Sequence, residues 1–516
     1  MNVQWADAGN YTVVVSNQYG CVTSLVAELT VATVRYVDVN SATPSPPYTN
    51  WATAATNIQN AVDAAGAGDA IVVTNGTYGP VSVTKPVALR SVNGPGLTLI
   101  NGAGAARCVY LTTGASLSEF TLTNGWAYYG GGVYCGSASA TVFNCVLTGN
   151  WAWSGGGAYG GTLHYCTLSG NLASSDFMGT GGYGGGASYS TLNHCTLSTN
   201  HAQDDIWGNG GYGGGAYGSL LNHCTLSGNG VGGLANINSY GGGAYGGTLN
   251  NCLLTGNRAE YAVAGAASAT LNHSTLVGNT APTFFGGVLD CALNNCIVYF
   301  NPSSLGGDQN SNYGGQSTLN YCCTTPQPGS GVGNITNAPL FVSQSSGNLR
   351  LQVDSPCINA GTNYYVPGST DLDDRLRVVG GTVDMGAYEF QSPASVISYA
   401  WLQQYGLSTD GSADFTDPDN DLLNTWQEWR CRTDPTNALS VLRLLSPSPA
   451  FSDVSVTWQS VAGVKYFLER STNLSATPRF TPLATNLPGQ PGTTTFTDTN
   501  AVGPLPRFYR VGVPAP

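Results

Sequence analysis

The 516-residue chain is poor in charged residues, rich in glycine and acidic overall. Charged residues make up 9% of the sequence, glycine occurs 70 times, and the formal net charge is −12. Basic residues are also unevenly spread, since Arg258 is the only one between Arg107 and Arg350. These features argue against nucleic acid or an anionic membrane surface as a partner, and they favour an extracellular, β-rich repeat protein. No apolar stretch is long enough to span a bilayer, and no signal peptide is visible.

Residues 1–33 carry short alternating strand patterns. The run Asp7-Ala-Gly-Asn-Tyr11, followed by Val13-Val-Val15, resembles the last strands of an immunoglobulin-like domain. Val13 stands where that family has a cysteine. The sequence therefore predicts that residues 1–33 are the C-terminal fragment of an Ig-like domain.

Residues 34–110 are predicted to contain a helix and the first coils of a solenoid. Between Thr56 and Ala65, apolar residues recur at the spacing of an amphipathic helix, and strands follow at Ala70–Val73 and Val81–Val83. Such a helix covers the open end of the first coil. The stretch resembles the N-terminal cap of pectate-lyase-like β-helices.

Residues 111–325 contain an internal repeat aligned on glycine triplets. Two columns of the repeat keep the same register, with successive spacings of 21, 29, 29, 28, 22 and 22 residues. The first column holds Cys145, Cys166, Cys195, Cys224, Cys252, Ser274, Cys296 and Cys322. The second holds Asn150, Asn171, Asn200, Asn229, Asn257, Asn279 and Asn301.

This repeat predicts an all-β fold, a right-handed parallel β-helix. Apolar side chains alternate with hydroxyls within each strand, glycine and asparagine mark the turns, and a repeat of 21–22 residues leaves no room for a helix. Stacked cysteines would hold their Cβ atoms about 4.8 Å apart, beyond the spacing that a disulfide prefers. We therefore interpret the cysteine column as buried free thiols, with a disulfide framework as the alternative.

Two further resemblances concern architecture. The alternation of GGGAY with LSGN is similar to the repeats of polymorphic outer-membrane adhesins. In residues 326–392, the segments Asp354–Gly361 and Val383–Glu389 resemble the closing module of bacterial surface proteins called choice-of-anchor Q. Proteins with such β-helices serve as enzymes, adhesins and scaffolds, so the resemblance does not decide the activity.

Residues 393–440 contain an acidic loop with the spacing of a calcium site. The predicted ligands are Asp417, Asp419, Asp421, the backbone carbonyl of Leu423, and Glu428. They occupy positions 1, 3, 5, 7 and 12 of an EF-hand loop, but Leu422 replaces the usual glycine at position 6. The segment resembles dockerin-like or thrombospondin-type-3 calcium loops, which implies a structural Ca²⁺; the alternative is a solvated acidic loop.

Residues 441–516 are predicted to form a fibronectin-III-like β-sandwich. The runs Val454–Trp458, Tyr466–Arg470 and Phe508–Val511 alternate as strands do, and Trp458 and Tyr509 are predicted core residues.

Candidate catalytic groups are few. Polysaccharide lyases of this fold use Ca²⁺-binding aspartates with an Arg or Lys base, and hydrolases use paired carboxylates. The residues available are Asp176, Asp204, Asp205 and Arg258, and the three aspartates are also interpretable as solvated loop residues. His194 and His223 precede the cysteine column and indicate an outward polar ladder rather than a zinc site.

The three longest coils each insert about seven residues before the glycine triplet. Insertions on one side of a repeat protein often form its binding face, and these coils and the one before them bring aromatic residues to one edge. The predicted ligand-binding residues are Trp151, Trp153, Phe177, Tyr183, Trp207, Tyr212 and Tyr240. The alternative is that these rings cover their own loops.

The sequence thus favours a secreted or bacterial cell-surface β-helix protein for adhesion or glycan binding, with an extracellular polysaccharide or surface glycan as partner. A polysaccharide lyase or glycoside hydrolase is the alternative, and a purely structural stalk is the third hypothesis.

Overall fold

The computed structural model describes all residues except 1–6, 8, 19, 30–31, 175–180, 206–208, 234–237, 304–311, 500, 502, 504 and 515–516. The chain divides into two compact units. The first comprises Met1–Thr336, Tyr365–Arg375 and Gly386–Tyr388, and the second comprises Asn337–Tyr364, Leu376–Met385 and Glu389–Pro516.

The first unit is built on three long parallel sheets, named here faces I, II and III. Face I joins Val34–Val37, Ala70–Val73, Ala88–Ser91, Ser116–Ser118, Thr141–Phe143, Thr162–His164, Thr191–Asn193, Leu220–Asn222, Thr248–Asn250, Thr270–Asn272, Ala292–Asn294 and Thr318–Asn320. Face II joins Gly76–Tyr78, Thr98–Asn101, Thr121–Thr123, Val146–Thr148, Thr167–Ser169, Thr196–Ser198, Thr225–Ser227, Leu253–Thr255, Thr275–Val277, Ile297–Tyr299 and Cys323–Thr324. Face III joins Val81–Val83, Val109–Leu111, Val133–Cys135, Ala158–Tyr159, Ala187–Ser188, Ala216–Tyr217, Ala244–Tyr245, Ala266–Ala267, Val288–Leu289 and Tyr313–Gly314.

A shorter fourth sheet, face IV, lies between faces II and III along the chain. It joins Trp126–Tyr129, Trp151–Ser154, Leu172–Ala173, His201–Ala202, Gly230–Val231 and Arg258–Ala259, all parallel. Each strand pairs with its counterpart one coil away, as in Leu163 with Leu192 and Leu192 with Leu221. The predicted right-handed parallel β-helix is therefore confirmed, with the handedness that crossovers between parallel strands almost always take.

The core of the coils follows from the period-two pattern of the strands. Leucine occupies the centre of most three-residue strands of faces I and II and points inward, so Leu168, Leu197 and Leu226 are fully buried and stack on one another through face II. The hydroxyl residues on either side face outward. Because every coil repeats this pattern, one continuous apolar core runs through the solenoid.

The asparagine column lies buried at one corner and saturates its own hydrogen bonds. Asn200 Nδ2 donates to Leu168 O at 2.8 Å and to Asn229 Oδ1 at 2.9 Å. Asn200 Oδ1 accepts from the backbone and side-chain nitrogens of Asn171 at 3.1 and 2.9 Å. An amide at this corner therefore replaces the backbone partners that the sharp turn removes.

The helix predicted ahead of the first coils is also present. A helix spans Ile58–Ala64, and the side chain of Asn57 caps its N-terminus by accepting from Asn60 N at 2.8 Å. Lys85 Nζ donates to the backbone carbonyls of Val62, Asp63 and Ala65 at the other end.

The fourteen cysteines are all free thiols, which agrees with the sequence prediction for the column. Cys21 is exposed and the other thirteen are buried. Burial raises the pKa of Cys108, Cys135 and Cys145 to about 12.

We therefore expect a thiol reagent to label one cysteine rapidly in the native protein, namely Cys21, and fourteen in denaturant. Only thiolates react, and burial both excludes the reagent and disfavours ionisation. Timed alkylation followed by peptide mass spectrometry measures this. Rapid native labelling of any column cysteine would contradict the packed interior.

The remaining elements of the first unit are short. Gly9–Tyr11 pairs antiparallel with Ala27–Leu29, and Val14–Asn17 pairs with Gly20–Thr23. A 3₁₀ helix spans Trp51–Thr53. The assignment of residues 1–33 to an Ig-like fragment stays a prediction, as do the other domain boundaries.

The second unit contains three small antiparallel sheets and two α-helices in its described part. The sheets are formed by Phe341–Ser343 with Asn348–Leu351, by Ser448–Ala450, Asp453–Ser460 and Gly492–Asp498, and by Thr481–Pro488, Lys465–Ser471 and Phe508–Gly512. The α-helices span Tyr399–Gln404 and Thr425–Cys431, and 3₁₀ helices span Gln344–Ser346 and Asn363–Tyr365. Three of these strands cover the predicted runs; Trp458 is fully buried, whereas Tyr509 is only half-buried.

The two segments of the predicted closing module contact each other in the second unit. Asn359 N donates to Asp384 Oδ1 at 2.7 Å, and Met385 N donates to Cys357 O at 3.0 Å. Arg377 and Glu389 are buried beside them. Burial and the neighbouring Asp384 raise the pKa of Glu389 to about 9. These motif residues therefore have a packing role, while the family assignment stays a prediction.

Candidate functional site

Face IV carries an outward row of side chains that begins with two tryptophans. The parallel register places Trp126 beside Trp151, and the row continues through Leu172, His201, Gly230 and Arg258. The two indole rings stack with centroids 5.4 Å apart and planes 21° from parallel. Trp126 is 46% exposed. Trp151 is one of the residues predicted from the sequence to bind a ligand, whereas Trp126 is not.

Trp126 lies beside a groove of about 410 Å³ that we call the Trp126 pocket. Its lining residues are Asn101, Ala103, Gly104, Asn124, Gly125, Trp126, Gly149 and Trp151. Face IV begins at Trp126, so in the described part of the chain no strand of this sheet stacks on the side of its ring away from Trp151. The turn of the preceding coil is fixed next to it, since Gly104 N donates to Asn124 O at 2.7 Å and Trp126 N to Ala106 O at 2.9 Å.

The pocket contains polar groups that the fold does not use. Asn101 Oδ1 accepts from Ala103 N at 2.8 Å, which holds the side chain at the turn. Within the described residues, the Asn124 side-chain amide and the indole N–H groups of Trp126 and Trp151 have no hydrogen-bond partner. The neighbouring corner residue Asn150 differs, because its amide bonds to Leu122 O and to Asn171.

The predicted tyrosines of the long coils do come together. Tyr183, Tyr212 and Tyr240 are bridged in register, and their rings stack at centroid distances of 5.5 and 6.0 Å. They are half-buried, because Tyr183 also packs edge-on against Tyr217 and Tyr212 against Tyr245, each at 4.9 Å. These rings therefore partly cover the neighbouring tyrosines of face III.

Trp153 lies at the start of this tyrosine row. Its ring stacks on Tyr128 at 4.9 Å and meets Tyr183 edge-on at 5.2 Å. Phe177 and Trp207, the other two predicted ligand-binding residues, lie outside the described residues, as does Asp176.

The interpretation of Asp204 and Asp205 as solvated loop residues is wrong. Asp204 is fully buried and Asp205 is 2% exposed. Asp205 accepts from the backbone and side-chain nitrogens of Asn209 at 2.7 and 2.8 Å. Arg258 is exposed in the last strand of face IV. The structure gives these residues no common surface.

The histidine column is not simply an outward ladder. His194 and His223 stack at 4.7 Å, and His223 Nε2 lies 3.2 Å from Thr370 O. Asp374 lies 3.5 Å from His194 Nδ1. Thr370 and Asp374 of the segment 365–375 therefore supply polar partners to these two histidines. Burial lowers the pKa of His223.

Three of the five predicted calcium ligands lie together in the second unit. Carboxylate oxygens of Asp417, Asp419 and Asp421 lie within 4.8 Å of one another. Glu428 lies on the helix Thr425–Cys431 and is fully buried. Burial and the neighbouring aspartates raise the pKa of Glu428 to about 8. Leu422, at the position of the usual glycine, has φ +82° and is 90% exposed.

This donor set fits Ca²⁺. Within the described residues, Asp419 Oδ2, Asp421 Oδ2 and Glu428 Oε2 are buried oxygens without a hydrogen-bond partner. Buried carboxylate oxygens are costly unless a cation pairs with them, and hard oxygen ligands are those that calcium prefers.

Comparison with known proteins gives no family: no family model and none of the curated proteins matches the chain. Among solved structures, pectate lyase Pel9A is 14% identical, with a TM-score of 0.45, over 70% of this chain and 96% of that chain. Pectin methylesterase from carrot is 13% identical, with a TM-score of 0.24, over 60% and 88%. A pectin methylesterase in complex with a hexasaccharide is 12% identical, with a TM-score of 0.27, over 60% and 94%. At these values no residue role or substrate carries over to this chain.

None of the helices in the described part of the chain has the length and apolar character needed to cross a bilayer.

Proposed function

We propose that this protein binds carbohydrate at the Trp126 pocket and serves in adhesion or glycan recognition outside a bacterial cell. The observation that carries the proposal is the stacked pair of the exposed Trp126 and the half-buried Trp151, beside unpaired amide and indole N–H groups. An aromatic face supplies apolar contact, and a few convergent polar groups fix orientation. Sugar rings have C–H faces that stack on an aromatic ring and hydroxyls that hydrogen-bond with the polar groups.

Catalysis has less support. The candidate carboxylates Asp204 and Asp205 are buried, and Asp205 is held by Asn209. A hydrolase needs two carboxylates that reach the same glycosidic bond, and a lyase needs a base that reaches the proton it removes from the sugar. We therefore propose binding rather than bond cleavage at the pocket.

Replacing Trp126 with alanine is expected to weaken binding to a recognised polysaccharide at least tenfold, about 1.4 kcal/mol. Trp126→Phe should retain part of the affinity, because an aromatic face remains. A glycan array identifies a ligand, and calorimetry with the soluble polysaccharide then measures the loss.

Phe143→Ala is the matched control, since Phe143 is also 46% exposed but lies on face I. The control should bind normally. If no glycan binds, or if Trp126→Ala and Phe143→Ala behave alike, the proposal is wrong, and a structural stalk becomes the better hypothesis.

We also propose that the acidic loop of the second unit holds a structural Ca²⁺ through Asp417, Asp419, Asp421, the Leu423 carbonyl and Glu428. The three unpartnered buried oxygens support this. Calcium would neutralise carboxylates that otherwise repel one another and would tie the loop to its following helix. Calorimetric titration of the chelator-treated chain with CaCl₂ tests it, and no heat at millimolar calcium would remove the idea.

A further inference from the structure

The lining of the Trp126 pocket is uncharged throughout. All eight residues are glycine, alanine, asparagine or tryptophan. The polar groups they offer are amides, indole N–H groups and the backbone, which pair well with hydroxyls. Such groups discriminate between ligands by hydrogen-bond geometry and not by charge.

The basic residues nearest to the pocket along the chain are directed elsewhere. Arg107 Nη2 donates to Tyr129 O at 2.8 Å and Nε to Gly130 O at 3.0 Å. Its guanidinium lies 4.8 Å from the centroid of the Tyr134 ring. Arg107 is therefore already engaged by face III and the glycine turn.

Arg90, the next basic residue before the pocket, lies on face I beside Ser118 and not on face IV. Arg258, the next one after it, lies at the opposite end of face IV. The register separates it from Trp126 by five strand spacings. That is a distance of about 24 Å, well beyond the screening length of about 8 Å at physiological ionic strength. Arg258 thus contributes little attraction for an anion at the pocket.

A sugar carboxylate in this pocket would lose hydration without gaining a cation. Removing an ionised carboxylate from water is costly unless it is paired. The formal net charge of −12 adds a general repulsion for a polyanion. A sugar with hydroxyls alone avoids both costs and keeps the stacking contact.

We infer that the ligand of the Trp126 pocket is a neutral polysaccharide, and that polyuronates are discriminated against. This inference rests on the proposed carbohydrate binding, and it adds the charge class of the ligand. A site for polyuronates, in which every sugar carries a carboxylate, would instead need cationic groups.

The test compares matched pairs of soluble polysaccharides that differ chiefly in charge. Hydroxyethyl cellulose is paired with carboxymethyl cellulose, and fully methyl-esterified homogalacturonan with polygalacturonate; neutral galactan, xylan and mannan complete the panel. Calorimetry at low ionic strength, where charge effects are largest, gives the affinities for the full chain, for Trp126→Ala and for the control Phe143→Ala. A chelator keeps calcium from bridging polyuronate chains.

We expect at least one neutral polysaccharide to bind, with at least tenfold tighter binding than any acidic one. Trp126→Ala should weaken this binding at least tenfold, Phe143→Ala should not weaken it, and added salt should leave the affinity unchanged. The inference alone is overturned if polygalacturonate binds as tightly as the neutral polymers and Trp126→Ala weakens that binding at least tenfold. The proposal and the inference are both overturned if neither charge class binds, or if Trp126→Ala binds as tightly as the parent chain.

Discussion

Replacing Asn200 with leucine is expected to lower the stability of the β-helix by about 4 kcal/mol, the largest effect of any single substitution proposed for this chain. The side chain is fully buried, and its amide bonds to Leu168 O, Asn171 and Asn229. Leucine has a similar volume but no polar atoms. It would leave the Asn171 N–H, an Asn171 amide hydrogen and the Leu168 carbonyl buried without a partner, each costing about 1–3 kcal/mol.

Asn222→Ala provides the comparison. Asn222 belongs to a second asparagine row, on the outside of face I, where its Nδ2 donates to Asn193 Oδ1 at 2.9 Å and its Oδ1 accepts from Asn250 at 2.9 Å. This row is half-exposed, so water replaces the lost bonds. We expect a loss within about 1 kcal/mol.

Urea titration followed by circular dichroism measures both variants against the parent chain. Equal losses of unfolding free energy in the two variants would mean that the buried asparagine column contributes no more to stability than the half-exposed row. If Asn200→Leu has the same free energy of unfolding as the parent chain, the stacked leucines of faces I and II stabilise the coils without the asparagine column.

Glu428→Gln is expected to weaken calcium binding to the second unit by at least tenfold. Glu428 occupies the position of the bidentate carboxylate in a calcium loop, and one of its two charged oxygens becomes an amide nitrogen that repels the ion. Leu422→Gly should have the opposite effect. Leu422 holds φ +82° with an exposed side chain, so glycine removes about 1 kcal/mol of strain in the ligating loop and tightens binding about fivefold.

Asp410→Asn is the matched control for charge. Asp410 lies in the same acidic segment and is exposed, and its carboxylate accepts from Ser412 rather than contributing to the loop. It removes one negative charge, as Glu428→Gln does, and should leave the affinity nearly unchanged. Calorimetry with CaCl₂ measures all three variants. A similar weakening by Asp410→Asn and Glu428→Gln would indicate nonspecific attraction of cations to an acidic surface.

The repeat made most of the solenoid predictable. Parallel coils place like residues on like, so the cysteine and asparagine columns had to be stacked once their spacings agreed. The alternation around Leu168, Leu197 and Leu226 then identified the inward face, because side chains of a strand alternate sides. The spacing of Asp417, Asp419 and Asp421 likewise predicted a cluster, since alternate residues of a tight loop turn toward one point.

Trp126 was predictable in position but was not selected. The Trp-Ala pair at Trp126 recurs at Trp151 one coil later, which is enough to align the two rings. The predicted ligand-binding residues came instead from the insertions of the long coils and from the coil before them. Two of those residues, Tyr183 and Tyr212, are half-buried against tyrosines of face III. The exposed indole is that of Trp126, which precedes the insertions in the chain.

Other features depend on contacts that no local pattern encodes. The Trp126 pocket exists because face IV begins at that coil while the turn at Asn101 belongs to the coil before. His223 meets Thr370, 147 residues further along the chain, and Asp205 is buried and accepts hydrogen bonds from Asn209. Periodicity and spacing are local properties of a sequence, so they define strands, columns and a ligand loop. The surfaces that remain exposed depend on where a sheet begins and on which distant segment packs over the surface. Both are determined by tertiary packing.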